Sequence, residues 1–161
     1  LNPKIASSAN KFRNEYLTMQ PKYLDDDLAV LPQIDPSSTS QLAEYGFKTI
    51  INNRPDNEEP GQPSSAEVGE AAAQAGLAYQ AQPVVSGAIT FNDVAEFKEL
   101  MDQAEKPVLA YCRSGTRCTM LWALASAGHI STEAIMASAE AAGYNLEGLR
   151  RQIEALAEAE K

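Results

Sequence analysis

Apolar residues along this chain fall into short blocks, and the spacing inside them alternates between a strand pattern and a helix pattern. Val108, Leu109, Ala110 and Tyr111 form an uninterrupted apolar run, which predicts a short strand buried on both faces. Residues 23–34 predict an edge strand or hairpin with Asp25, Asp26 and Asp27 as its turn, and residues 47–51 and 79–85 predict two further strands. Between them lie helix signals. Ser38 followed by Gln41 reads as a capping box after Pro36, with Gly46 as the stop. Ser64 with Glu67 opens a second helix that ends at Gly76, and Thr90 with Asp93 opens a third that buries Val94, Phe97, Leu100 and Met101. Helices are expected from Cys118 to near Gly128, over residues 132–142, and over residues 146–158, where Leu146, Leu149, Ile153 and Leu156 share a face. Residues 1–21 read as an N-terminal extension, with Phe12, Tyr16, Leu17 and Met19 on a short helix packed outside; residues 22–161 read as one domain.

Strands alternating with helices imply an α/β fold: a mostly parallel sheet of four to five strands flanked by helices. In such sheets ligands bind beyond the carboxyl ends of the strands. Loops 52–63, 85–90 and 112–117 are expected to meet at that edge.

Composition narrows the function classes. A net charge of −9 argues against a nucleic-acid surface, and no apolar run is long enough to span a membrane. Two cysteines six residues apart build no disulfide framework, and the single His129 gives no zinc spacing, so neither metal nor cofactor is expected. The first residue is Leu1. The sequence leaves the compartment open between the cytoplasm and, where a signal peptide was removed upstream of Leu1, the periplasm.

The candidate chemistry lies in Cys112-Arg113-Ser114-Gly115-Thr116-Arg117, read as the turn between the central strand and the next helix. Such a turn gathers unpaired backbone N–H groups at a helix N-terminus and creates positive potential there. Gly115 permits the tight path, and both the dipole and a nearby guanidinium favour the Cys112 thiolate. Arg117 is the expected oxyanion clamp, because a planar fork binds two oxygens at once. Arg113 is expected to point outward and to supply its backbone N–H. Ser114 and Thr116 are either ligand donors or local turn formers. Cys118 is either core packing or a resolving thiol, and Arg54 either binds substrate or pairs with Glu58. Glu58 and Glu59 read as solvated loop charges, and Trp122 as core.

The Cys-x-x-Gly-x-Arg loop resembles the signature of cysteine-dependent phosphatases, with four residues between Cys and Arg where that family usually has five. Its six-residue length is similar to the persulfide loop of rhodanese-type sulfurtransferases, whose downstream Gly-Gly and Trp features are absent here. The frame separates the two. A strand ending in Arg54-Pro55-Asp56, a capped helix, Ala75-Gly76-Leu77-Ala78-Tyr79 leading to Pro83-Val84, a Val94-x-x-Phe97 helix and then the Cys loop resemble, over residues 22–158, the bacterial beta-lactamase-hydrolase-like phosphatase domain, a relative of the dual-specificity phosphatases. The resemblance implies a dual-specificity-phosphatase-like sheet, a shortened loop as the usual form, a Ser where Cys118 stands, and a phosphoester substrate held by residues 113–117. It also implies proximity to sulfide-oxidising proteins, which keeps the sulfurtransferase alternative open; a third reading is an oxyanion-binding module without turnover. Two positions depart from the pattern. Tyr111 replaces the His that usually precedes the nucleophile, and Val85-Ser86-Gly87 offers no carboxylate where the general acid usually sits. Asp56 is the expected substitute, with Asp93 as a helix cap.

Overall fold

The computed structural model of the chain describes residues 19–161, so the expected helix over most of the N-terminal extension lies outside the described residues. Five strands form one sheet: β1 (Lys22–Tyr23), β2 (Leu28–Leu31), β3 (Thr49–Asn52), β4 (Ala78–Ala81) and β5 (Val108–Tyr111). Their spatial order is β1-β2-β5-β3-β4. β1 pairs antiparallel with β2 through the acidic turn, and every other pairing is parallel, with Leu31 and Asn52 flanking Tyr111 in register. The parallel architecture follows from connections that carry helices: α1 (Thr39–Glu44), α2 (Ser65–Gln74), α3 (Phe91–Gln103), α4 (Thr116–Ser126), α5 (Thr132–Ala141) and α6 (Arg150–Ala159).

The two faces of the sheet bury two cores, because successive side chains of a strand point opposite ways. Leu28, Val30, Ile51, Val108, Ala110 and Cys112 join the core under α3, α4, α5 and α6. Ala29, Leu31, Ile50, Leu109 and Tyr111 join the core under α1 and α2. Helix α4 lies deepest, with Cys118, Leu121, Trp122 and Ala123 all buried, which explains why its sequence is apolar nearly all round. Cys112 and Tyr111, neighbours in the chain, therefore face opposite layers.

Some boundaries differ from the expected ones. The first helical segment is capped by Asp35, whose carboxylate accepts the Ser37 N–H, whereas Ser38 makes no side-chain cap. The strand expected over 79–85 pairs only to Ala81, since Pro83 has no N–H to donate; Gln82 and Val84 still bond to Asn52 and Asn53 carbonyls beside it. Helix α4 starts at Thr116 rather than Cys118, which places Arg117 in its first turn. The final helix is preceded by a 3-10 turn at Glu147–Leu149.

Candidate active site

The site stands at the carboxyl end of β5, where the chain leaves the sheet at Cys112 and enters α4 through Gly115. Gly115 is the residue before the helix and has φ +89°, a conformation that a side chain resists. Gly115 has no side chain to cap α4, and the first-turn N–H of Thr116 donates to Ser114 Oγ at 3.4 Å. The Gly115 N–H donates to Cys112 Sγ at 3.1 Å. Cys112 is 1% exposed, yet its pKa is lowered to about 6. A hydrogen bond from the Cys118 thiol is the largest cause, and backbone N–H groups of Cys118, Gly115 and Ser114 add to it; together they outweigh burial. Burial and the adjacent Cys112 sulfur push the Cys118 thiol upward, so it stays protonated and donates.

Arg117 is buried and its guanidinium is tied at one edge. Nη1 donates to the Asn53 and Val84 carbonyls at 3.3 and 3.0 Å, and Nη2 donates to Glu58 Oε1 at 3.2 Å. Nε is buried and has no partner. A guanidinium N–H left unpaired in the interior is costly unless an acceptor arrives, so this edge of the fork is a donor in waiting.

Glu58 is not the solvated loop charge that its sequence context suggests, whereas Glu59 is exposed as expected but ion-paired. Glu58 accepts from Arg54 Nε at 2.8 Å and lies against Arg117, while Glu59 accepts from Arg54 Nη2 at 2.9 Å and approaches Arg113 at 3.6 Å. Burial raises the Glu58 carboxyl, but hydrogen bonds from Arg54 and Arg117 hold it below its ordinary range. It is ionised at neutral pH and cannot donate a proton there. Arg54 thus pairs with carboxylates, and Gln33, from a loop that the sequence reading did not bring to this edge, accepts its remaining Nη1 at 3.0 Å.

The other expected residues are distributed as follows. Arg113 is largely exposed, and its carbonyl accepts the Gln33 N–H. Ser114 and Thr116 bond to each other, Oγ to Oγ1 at 3.0 Å, which makes them turn formers in this state. Asp56 accepts the Ser65 N–H at 2.8 Å at the start of α2. Asp93 completes a reciprocal capping box with Thr90. Tyr111 points away from the sulfur into a hydroxyl network: it meets the Tyr79 hydroxyl at 3.3 Å, which in turn meets Ser65 Oγ and the Asn52 side chain. Burial foremost, then Tyr79 and the charge of Asp56, raise the Tyr111 phenol far above its ordinary range, so it stays neutral. Tyr144 closes the loop from the far side by donating to the Ser114 carbonyl at 3.0 Å. Neither its position in sequence nor its surroundings marked it for this role.

The profile of the family described as "Beta-lactamase hydrolase-like protein, phosphatase-like domain" matches residues 21–129. The chain belongs to this family. A beta-lactamase hydrolase-like protein from Xylella fastidiosa is 37% identical over 125 residues, which is 76% of this chain and 29% of that protein. The chain therefore spans less than a third of the length of that relative. A crystallised candidate phosphatase from Neisseria meningitidis is 42% identical, with a TM-score of 0.79, covering 86% of this chain and 99% of its own. P. aeruginosa TpbA, crystallised with pTyr, is 15% identical with a TM-score of 0.60, covering 84% of this chain and 86% of its own. That likeness is one of fold. The fold of this phosphatase-like domain is that of the dual-specificity and tyrosine phosphatases.

Proposed function

We propose that this domain hydrolyses phosphate monoesters through a phosphocysteine intermediate. The observation that carries the reading is the unpaired, buried Nε of Arg117 on the helix turn that begins above an acidified Cys112 sulfur. An oxyanion would satisfy that N–H at the N-terminal end of α4, which is the arrangement that stabilises a transferring phosphoryl group.

In the first step the Cys112 thiolate attacks phosphorus, the S–P bond forms and the bond to the ester oxygen breaks, with a proton passing to the leaving oxygen. Asp56 is the proposed donor, since a carboxyl group held at one oxygen by Ser65 keeps a second oxygen for the proton. In the second step water attacks phosphorus and passes a proton to the Asp56 carboxylate, the S–P bond breaks and the thiolate departs, its charge again spread over the Cys118 thiol and the loop amides.

The test is phosphate release from an aryl phosphate monoester. Wild-type protein is expected to release phosphate and, on rapid acid quench during turnover, to carry a phosphoryl group on Cys112 by intact-mass analysis. Cys112→Ser is expected to release none, and Asp56→Asn to lose ~10²- to 10⁴-fold with a poor leaving group and less with a good one. Phosphate release that survives Cys112→Ser rules the mechanism out. Exposure to thiosulfate is expected to leave no added sulfur on Cys112; a stable persulfide there would instead favour sulfur transfer.

A further inference from the structure

Beyond the residues that touch a phosphoryl group, the site contains a charge lattice whose centre is Arg54. Its side chain is completely buried, and each of its three nitrogens is committed: Nε to Glu58, Nη2 to Glu59 and Nη1 to Gln33. The two glutamates hand the contact on, Glu58 to Arg117 in the first turn of α4 and Glu59 to Arg113 in the loop itself. The pattern is symmetrical in kind: a loop arginine, a carboxylate, the buried hub, a second carboxylate, a second loop arginine.

We infer that Arg54 is a positioning residue for the oxyanion cradle, setting the orientation of both loop arginines through Glu58 and Glu59. The inference rests on the phosphate-binding reading of the loop. Two physical consequences give Arg54 this role. The first is geometric. Glu58 and two backbone carbonyls occupy the Nη edge of Arg117, which leaves Nε as the edge free to meet a ligand, and Glu58 keeps that pose because Arg54 holds the same Oε1 at 2.8 Å. The second is electrostatic. A carboxylate beside an anion-binding arginine is an internal competitor for it, and a second guanidinium on the same oxygen draws that negative charge away from the ligand. Lysine cannot replace Arg54 in either respect, because an ammonium offers one point of charge where three separate partners must be met.

The experiment measures the dissociation constant for inorganic phosphate by calorimetry, alongside aryl phosphate hydrolysis and the pH midpoint of Cys112 alkylation. Arg54→Lys is expected to weaken phosphate binding about 10- to 100-fold, the loss of one or two charge-assisted hydrogen bonds. The Cys112 midpoint stays at about 6, since Cys118 and the loop amides set it. Adding Glu58→Gln to Arg54→Lys is expected to recover part of the affinity, because the competing charge is gone. A merely structural role predicts neither the split between the two readouts nor the recovery. Should Arg54→Lys fail to fold, Glu59→Gln tests the Arg113 arm at a half-exposed position, with about 3- to 10-fold weaker binding expected. Binding within twofold of wild type in folded Arg54→Lys overturns the inference, as does unchanged binding in Glu59→Gln where that variant stands in. Wild-type protein that neither binds phosphate nor hydrolyses the ester overturns the phosphate reading and this inference with it; wild-type activity with indifferent variants overturns this inference alone.

Discussion

A thiol surrounded by hydrocarbon ordinarily titrates above its value in water, because burial penalises the anion. Cys112 goes the other way, to about 6, and the reason is local: the Cys118 S–H and three backbone N–H groups converge on its sulfur. Alkylation needs the thiolate and no general acid, so the iodoacetamide alkylation rate of Cys112 is expected to rise with pH through about 6 and then to level off; below that pH the sulfur carries a proton. Cys118→Ala removes the largest stabilising contact, and the alkylation midpoint is expected to move up by about one to two pH units, the worth of one hydrogen bond to a charged group. Cys118→Ser keeps a donor and should stay near wild type. An unmoved midpoint in Cys118→Ala would show that the amides alone acidify the sulfur. Tyr111, by contrast, is locked neutral and adds no titration near neutrality.

The element that decides whether those contacts exist is the six-residue turn between β5 and α4. Gly115 takes φ +89°, and a Cβ placed there would stand 2.1 Å from the Tyr144 hydroxyl. Gly115→Ala is therefore expected to cost ~1–2 kcal/mol in backbone strain on top of displacing Tyr144. Urea denaturation with aryl phosphate turnover should show lower stability and a larger loss of rate, and adding Tyr144→Phe should restore part of both by removing the oxygen that clashes. No recovery in the double variant would place the whole effect in the backbone. The turn and its flanking strand were readable in advance because apolar run, glycine and helix onset are all local signals. The Ser64 and Thr90 caps were readable for the same reason. The mistaken cap at Ser38 shows the limit: Asp35, Ser37 and Ser38 all offer cap chemistry within four residues, and only the path of the chain chose Asp35. The local pairing of Glu58 with Arg54 was one of the two readings its window allowed, but the second partner Arg117 lies 59 residues away, beyond any local window. Gln33, Tyr79 and Tyr144 escaped notice on the same ground, as long-range partners with no spacing to mark them.

At the scale of the whole molecule, the parallel sheet separates chemistry from anchorage. The Cys112–Arg117 loop, Arg54 and the glutamates all gather at the carboxyl ends of the strands, while the acidic turn sits at the opposite end, where the Asp27 carbonyl accepts the Val108 N–H that starts β5. There Asp25 accepts the Asp27 and Leu28 N–H groups through Oδ1, and the Trp122 indole N–H at 2.9 Å through Oδ2. Asp25→Ala leaves the indole donor unpaired and is expected to lower unfolding stability by about 1–3 kcal/mol in urea titrations. Hydrolysis by the folded fraction should change by no more than about twofold, because distant sites act independently. A large loss of rate without loss of stability would mean that the two ends communicate. The indole has one more use. Trp122 is the single tryptophan of the chain, and it lies one helical turn beyond Cys118 on α4. The intrinsic emission of this protein is thus a one-channel optical signal, and it originates in the helix whose first turn holds Arg117.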